Sequence, residues 1–309
     1  MHRQSFLCRR TLLALAKSVL CAGLLLSCRK DPPAVNNQDR PLLVTTLPVA
    51  RMVEAVMGQP INRLLPNGID ATKWSPSEKQ LAQISESFLI SNGRGYEAKL
   101  RRYDLPKSSW LRSADMLTDP AVLHDVVEHQ HGPEGSHSHG VVDGHTWVDP
   151  KTAGKQLEVI RQRLVKEGFC SEEKSQENVQ TLVEQLLNIH QKFAEIDTQS
   201  IALWANHASY DYLARTHGWN IISFDFDPGS PLPKEVVSEL ESMDGSQIFL
   251  FESAPCLELE KTLLSLGVQP VVLPTGESPN NDGEWPICLA LGANRLQVAV
   301  QSFSSEIGP

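Results

Sequence analysis

Short apolar runs alternate with amphipathic stretches along most of this 309-residue chain, and this alternation limits the fold more than any other feature. Seven runs have the length and composition of strands, and most are followed by a helical pattern: 42–45, 61–65, 88–91, 201–204, 221–224, 248–251 and 271–273. Strands that alternate with helices indicate mostly parallel sheets covered by helices. The sequence therefore predicts an α/β fold.

A long helical region divides the strand patterns into two sets. Asp149 and Pro150 are typical of a helix start, and a second pattern from about 171 to 197 carries an apolar stripe. We expect two lobes, at 41–150 and 199–309, each a mostly parallel sheet flanked by helices, joined by a long rigid helix within linking helices at 151–198. Ligands of open α/β sheets bind beyond the carboxyl ends of the strands, so two facing lobes would form a binding cleft.

The start of the chain has the pattern of an export signal. Residues 1–27 contain four basic residues and no acidic residue, and their apolar run is far shorter than the roughly 20 residues that span a bilayer. Leu25-Leu26-Ser27-Cys28 resembles a bacterial lipobox, which predicts a signal peptide at 1–27, a lipidated Cys28 and a lipid-anchored flexible tether at 28–40. Arg9-Arg10 also resembles a twin-arginine signal, although we favour a simple basic start.

Charge and cysteine content restrict the function further. A formal net charge of −9 disfavours a nucleic-acid partner, because phosphate binding requires a basic face. After lipidation of Cys28, three cysteines remain, and an oxidising compartment allows two of them to pair. We expect a disulfide between Cys256 and Cys288, although the sequence does not determine the connectivity.

Histidines are concentrated in one stretch. Of the ten in the chain, six fall between residues 124 and 145, and five of these lie in a glycine-rich loop at 124–140: His124, His129, His131, His137 and His139. Imidazole is a ligand for zinc, copper and nickel, so the loop predicts exchangeable metal capture; the alternative is a solvated polar loop.

Two further histidines occupy more rigid positions. His145 directly precedes the helix start at Asp149, and His207 follows a predicted strand end, where α/β proteins place ligand contacts. His207 alone would more often be a structural histidine. As a pair across a cleft they become candidate metal ligands, because packed neighbours can hold them in place.

Several motifs resemble one family, the metal-binding lipoproteins of zinc and manganese ABC importers (the cluster A-I solute-binding proteins, which include the zinc-uptake binding protein). The resemblance covers roughly 41–305, and its motifs are Thr45 to Pro48, Leu65 to Asp70 (similar to LLPPGADPH), His145 to Pro150 (HVWLDP), His207 to Tyr212 (HDAFGYF) and Phe249 to Glu252 (VFAEP).

This resemblance implies that His145 and His207 are metal ligands. It also marks two departures, since Thr72 stands where the family has its first histidine, and the family's late aspartate falls near Thr275, where there is no carboxylate. The remaining ligands are left open among Asp70, Glu252, Glu277 and a loop histidine. We expect Glu252 and Asp70 first.

The predicted function is extracytoplasmic capture of a metal ion between two lobes and its delivery to an ABC permease and its ATPase. Nitrogen-rich ligation favours zinc, with manganese as a second candidate. The mature protein would be a membrane-anchored monomer at the periplasmic or cell-surface face. The alternatives are an adhesin or metal-storage lipoprotein of the same fold, a relative that has lost metal binding or takes a non-metal ligand, and a zinc hydrolase. An enzyme is disfavoured because the chain lacks a His-Glu-x-x-His motif.

Overall fold

The structure, a computed structural model, describes residues 40–123, 142–279 and 282–306. Within these residues the chain forms two four-stranded sheets, each entirely parallel and flanked by helices. The predicted α/β class is therefore confirmed. The signal peptide at 1–27, the lipidation of Cys28, nearly all of the tether at 28–40 and the histidine-rich loop at 124–140 lie outside the described residues, so those predictions stay open.

The first sheet has the strand order β2-β1-β3-β4. Its strands are β1 (Leu42–Val44), β2 (Asn62–Arg63), β3 (Phe88–Ser91) and β4 (Trp110–Arg112), with helices α1 (Leu47–Met57) and α2 (Glu78–Glu86) between them. Ser77 caps α2 in a capping box with Gln80. Strand β4 was not predicted, because it has only three residues and buries only Leu111 fully.

The second sheet repeats this arrangement with the order β6-β5-β7-β8. Its strands are β5 (Ile201–Ala205), β6 (Ile221–Ser223), β7 (Ser246–Phe251) and β8 (Val268–Val272). The helices of this part are α5 (Asp211–His217), α6 (Lys234–Ser242), α7 (Leu257–Ser265) and α8 (Ile287–Glu306). In both sheets the first strand in sequence lies between the second and the third, so the carboxyl ends of the inner strands form one edge.

Two helices connect the sheets: α3 (Pro150–Lys166) and α4 (Glu172–Ala194). Asp149 caps α3 by accepting from the backbone N–H groups of Lys151 and Thr152, as expected for an Asp-Pro start. Helix α4 contacts α1 from the first half of the chain and α8 from the second. The stripe that α4 buries against them includes the predicted apolar residues Val179, Leu182, Leu186, Ile189 and Phe193.

The second sheet is apolar on both faces, because successive strand residues point to opposite sides. Leu203, Ile248 and Leu250 belong to the large core, whereas Trp204 and Phe249 belong to a smaller one. Every one of these side chains is at most 2% exposed, which accounts for the continuous apolar runs in the sequence.

This two-sided packing contradicts the predicted Cys256–Cys288 disulfide. Both thiols are free in the structure. Cys288 is buried in the large core, while Cys256 precedes α7 and packs against the smaller core. The two cysteines therefore pack on opposite faces of the second sheet, and burial raises the pKa of the Cys288 thiol to about 12.

Among the described residues, no helix is both long and apolar enough to cross a membrane.

Candidate metal centre

His145 is held rigidly just before helix α3. Its side chain is only 8% exposed, and its ring packs edge-on against Tyr96 at a centroid distance of 5.2 Å. The buried carboxylate of Asp143 accepts the backbone N–H of His145 at 2.7 Å and lies 2.8 Å from Nδ1. A hydrogen bond at one ring nitrogen orients the imidazole and leaves the other nitrogen for a ligand. His145 therefore presents Nε2.

A carboxylate from the other half of the chain meets this nitrogen. Oε1 of Glu277, in the loop after β8, lies 3.1 Å from His145 Nε2. The hydroxyl of Tyr96 also donates to Glu277. Glu277 was weighed from the sequence but ranked behind Glu252 and Asp70, and the geometry favours it over both because it alone of the three contacts His145.

Glycines precede both residues of this pair. At Gly276 the backbone has a φ of +78°, and an added Cβ would lie 2.8 Å from the Cβ of Trp285. At Gly144 an added Cβ would lie 2.7 Å from the Cβ of Tyr96. Such approaches are closer than real Cβ contacts, so each loop passes its neighbour only with glycine at that position. The two glycines thus allow the backbone positions from which the side chains of His145 and Glu277 reach the site.

His207 completes a histidine pair with His145. It follows β5 at the carboxyl end of an inner strand, and its ring lies perpendicular to that of His145 at a centroid distance of 5.6 Å. Its side chain is 41% exposed, and its Nδ1 lies 3.5 Å from the exposed Asp225 carboxylate. The predicted pair is therefore brought together, with His145 buried and His207 at the solvent side.

The other two predicted ligands differ in position. Glu252 directly follows β7, and burial together with the nearby Glu277 carboxylate raises the pKa of Glu252 while His207 and His145 oppose that rise. Asp70 is instead engaged locally: Oδ1 accepts the N–H and the hydroxyl of Thr72, and Oδ2 lies 3.3 Å from the ammonium of Lys73. Glu252 thus belongs to the electrostatic environment of the pair, and Asp70 lies at its edge.

The charge state of the pair follows from these contacts. Burial opposes protonation of His145, but the hydrogen bonds to Asp143 and Glu277 outweigh it and raise the His145 pKa well above its usual value. Burial works against the charged form of Glu277 as well, yet His145 and Tyr96 hold the Glu277 pKa below its ordinary value. In this state His145 Nε2 donates a proton to the Glu277 carboxylate, and a metal ion can bind Nε2 only after that proton is lost.

The donors at the cleft are near one another without forming a closed cage. Among the described residues, the one group of three potential ligands whose donor atoms all lie within 4.8 Å is Asp149, His190 and His217, away from the cleft pair. An ion bound at His145 and Glu277 would have to draw in His207 and Glu252 by side-chain or lobe movement. Two imidazoles and carboxylates nevertheless form a donor set that suits zinc.

Comparison with known proteins agrees with this chemistry. The family model described as zinc-uptake complex component A, periplasmic (ZnuA), matches residues 42–254. The chain belongs to this family. The family predicted from the sequence motifs is therefore confirmed.

Curated and solved relatives extend the likeness. The zinc-binding lipoprotein AdcA of Streptococcus pneumoniae R6 is 25% identical over 257 residues, which cover 78% of this chain. The chain spans about half (50%) of the length of that relative. The crystal structure of the Zn(II)-bound ZnuA-like domain of pneumococcal AdcA matches with a TM-score of 0.68 and 21% identity, over 85% of this chain and 98% of that one.

A solved structure with a different bound metal has the same fold. The solute-binding protein FpvC of Pseudomonas aeruginosa, in complex with Mn2+, matches with a TM-score of 0.66 and 17% identity, over 86% of this chain and 99% of that one. Because both structures are less than 25% identical to this chain, they establish the two-lobed fold but do not identify the ion that this chain binds.

Sequence reasoning missed two residues that organise the site. Asp143 orients His145, and Tyr96 contacts both His145 and Glu277. The signal for Asp143 was available, because a carboxylate two residues before a candidate ligand can reach its ring. Tyr96 had no comparable signal, since its contacts join segments far apart in sequence. The five loop histidines lie outside the described residues.

Proposed function

We propose that this ZnuA-family chain is an extracytoplasmic binding protein that captures a divalent transition metal, zinc first, in the cleft between its two lobes. The observation that carries the proposal is the His145–Glu277 pair, with Nε2 aimed at a carboxylate oxygen 3.1 Å away and the opposite ring nitrogen bonded to Asp143. Ligand histidines in metal sites commonly have such an outer carboxylate.

The ligand set of the proposal is His145, His207 and Glu277, with Glu252 as the fourth donor. Zinc is four-coordinate in most protein sites and accepts imidazole nitrogen and carboxylate oxygen at about 2.0–2.2 Å. Burial and, after it, the nearby Glu277 carboxylate raise the Glu252 pKa, and a cation between the two carboxylates would offset their repulsion. Because Thr72 replaces the family's first histidine, the set has two nitrogens and up to two carboxylates, which makes Mn2+ the second candidate.

Zinc titration by calorimetry tests the proposal directly. We expect one tight equivalent in the chain starting at residue 29, and a loss of that equivalent in Glu277→Ala and in the His145→Ala, His207→Ala double variant. Glu258→Ala is the matched control, because it removes an exposed carboxylate at the start of α7. Equal tight binding in the wild type and in both cleft variants would disprove the proposal.

A competition titration decides between the two metals. Zinc-loaded protein is exposed to excess Mn2+, and apo protein to Mn2+ alone. Retention of zinc against a large excess of Mn2+ supports zinc as the cargo. Displacement of zinc by Mn2+ at comparable concentrations would instead assign the cleft to manganese.

The way the protein is used in the cell forms part of the same proposal. An export signal at 1–27, lipidation of Cys28 and a tether at 28–40 would hold the two-lobed body at the outer face of a membrane, next to an ABC permease and its ATPase. The name of the pneumococcal relative, a zinc-binding lipoprotein, supports this arrangement. Labelling of cells with a fatty-acid analogue tests it: the wild type should be labelled and Cys28→Ser should not. Label on Cys28→Ser would argue against an anchor at that residue.

A further inference from the structure

A second group of potential metal ligands lies where helices α3, α4 and α5 meet. Asp149 caps α3, His190 is in the last two turns of α4, and His217 ends α5. Each offers one donor atom, and these atoms all lie within 4.8 Å of one another. None of the three belongs to the donor set proposed for the cleft.

Two ring nitrogens of this group have no hydrogen-bond partner among the described residues and are therefore available to bind a ligand. Nδ1 of His190 and Nε2 of His217 are both buried and make no hydrogen bond. The two rings face each other at a centroid distance of 5.1 Å. Buried polar atoms are normally satisfied, and two such nitrogens beside one carboxylate require an explanation.

The carboxylate of Asp149 retains capacity for a further partner. Its Oδ2 accepts the N–H and hydroxyl of Thr152 and the hydroxyl of Thr216, at 2.6 to 3.0 Å. Its Oδ1 accepts only the N–H of Lys151, at 3.3 Å. A carboxylate oxygen has two lone-pair sites, so Oδ1 can still bind a cation.

We propose that Asp149, His190 and His217 form a second binding site, separate from the cleft, for zinc or another divalent transition metal ion. Tetrahedral zinc with bonds of about 2.0–2.1 Å requires donors roughly 3.3 Å apart, so the side chains need to close by roughly 1.5 Å at most.

Two cavities lie beside the group, although the unpartnered ring nitrogens themselves are buried. A cavity of about 600 Å³ between α3 and α4 is lined in part by Pro150, Lys151 and His190. Another of about 550 Å³ near the end of α5 includes His217 and Trp219 in its lining. An ion would reach the buried nitrogens from one of these cavities by a small movement of the His190 or His217 side chain, and a water molecule could then occupy a fourth coordination position.

The location suggests a structural role for the ion. Helix α3 begins just after His145, and α5 begins just after His207. An ion that ties the start of α3 to the end of α5 through α4 would fix the spacing of the two elements that carry the cleft histidines. Metal at this site would thus hold the cleft in a defined geometry without being its cargo.

Native mass spectrometry of zinc-saturated protein tests the site by counting ions. The histidine-rich loop contributes equally to every variant compared. We expect the His190→Gln, His217→Gln double variant to bind one zinc ion fewer than the wild type, and the surface control Lys192→Gln on α4 to match the wild type. An equal count in the wild type and the double variant overturns the proposal.

The cleft variant His145→Ala, His207→Ala separates the two sites. It should lose the cleft ion and keep the second-site ion, so failure at one site is distinguishable from failure at the other. If the His190→Gln, His217→Gln variant does not fold, anomalous diffraction at the zinc edge from wild-type crystals decides instead. A peak among Asp149, His190 and His217 supports the site, whereas a map with zinc elsewhere and no peak there overturns it.

Discussion

Nε2 of His145 lies 3.1 Å from Oε1 of Glu277, although the first residue precedes helix α3 and the second follows the last strand of the second sheet. The contact is one of several hydrogen bonds that join the two halves of the chain, with Trp147 Nε1 to the carbonyl of Thr275 close by in sequence. Asp143 bonds to Nδ1 of His145, and the hydroxyl of Tyr96 donates to the Glu277 carboxylate, so both groups are held in position.

Asp143→Asn should weaken zinc binding while leaving the fold intact. The amide can still accept at Nδ1–H, but it loses the charge that makes the His145 imidazole a stronger ligand, and loss of such outer carboxylates typically costs about 10- to 100-fold in affinity. Competition with a chromogenic zinc chelator measures the change. Asp225→Asn, which alters an exposed carboxylate 3.5 Å from His207 Nδ1, is the control and should change affinity by less than about threefold. Equal effects of the two substitutions would contradict this role for Asp143.

Zinc binding should release a proton at neutral pH. The raised pKa keeps His145 protonated in the metal-free protein, and an imidazole must lose that proton before Nε2 can coordinate. The apparent affinity should therefore increase as the pH rises toward the His145 pKa. Calorimetry at pH 7 in buffers of different ionisation enthalpy measures the number of protons released, which we expect to be close to one. Binding heats that do not depend on the buffer would contradict the prediction.

The metal-free protein should lose stability as the pH rises. His145 has a raised folded-state pKa, so its contribution is complete below the unfolded value of about 6.5 and is lost as the pH rises through the folded value. Glu277 has a lowered pKa, so its contribution is complete above the unfolded value of about 4.3 and is lost on acidification. The pair therefore contributes most between about pH 4.3 and 6.5.

Thermal melts of the metal-free chain from pH 6 to alkaline pH test the sign. The wild type should lose melting temperature from pH 6 toward alkaline pH, and His145→Gln should lose less over the same interval. An identical decline in both proteins would assign the effect to other groups.

Gly276→Ala should impair both stability and metal binding. A side chain at this positive φ costs about 1–2 kcal/mol, and the added Cβ would also lie 2.8 Å from Trp285, so the loop that carries Glu277 has to shift. Gly267→Ala is a matched control, because Gly267 has a φ of +77° and nothing within 4 Å of the added atom. Urea unfolding and zinc titration of both variants separate the backbone cost from the displacement of Glu277. Equal losses in both measurements would mean that the close contact with Trp285 has no effect.

The local patterns of the sequence predicted most of the secondary structure. The cap at Asp149, the stripe on α4 and most of the apolar strand runs were found where expected, because each depends on neighbours within a few residues. Strand β8 begins three residues before the run predicted at 271–273. The three-residue strand β4 was missed because it is too short to show a pattern. The disulfide prediction was wrong, since pairing depends on which face of a sheet each cysteine meets.

The candidate site was likewise predicted only in part from the sequence. The order of motifs was enough to establish the family and to nominate His145 and His207, since those histidines lie in recognisable segments. The choice of Glu277 over Asp70, the supporting contacts of Asp143 and Tyr96, and the meeting of Asp149, His190 and His217 all required tertiary structure. These contacts join residues from separate helices, strands and loops, and only the packing of the two sheets against α3 and α4 brings such groups within a few ångströms. Motifs and periodicity depend on residues that are neighbours in sequence, whereas a set of metal ligands depends on which residues the fold brings close together.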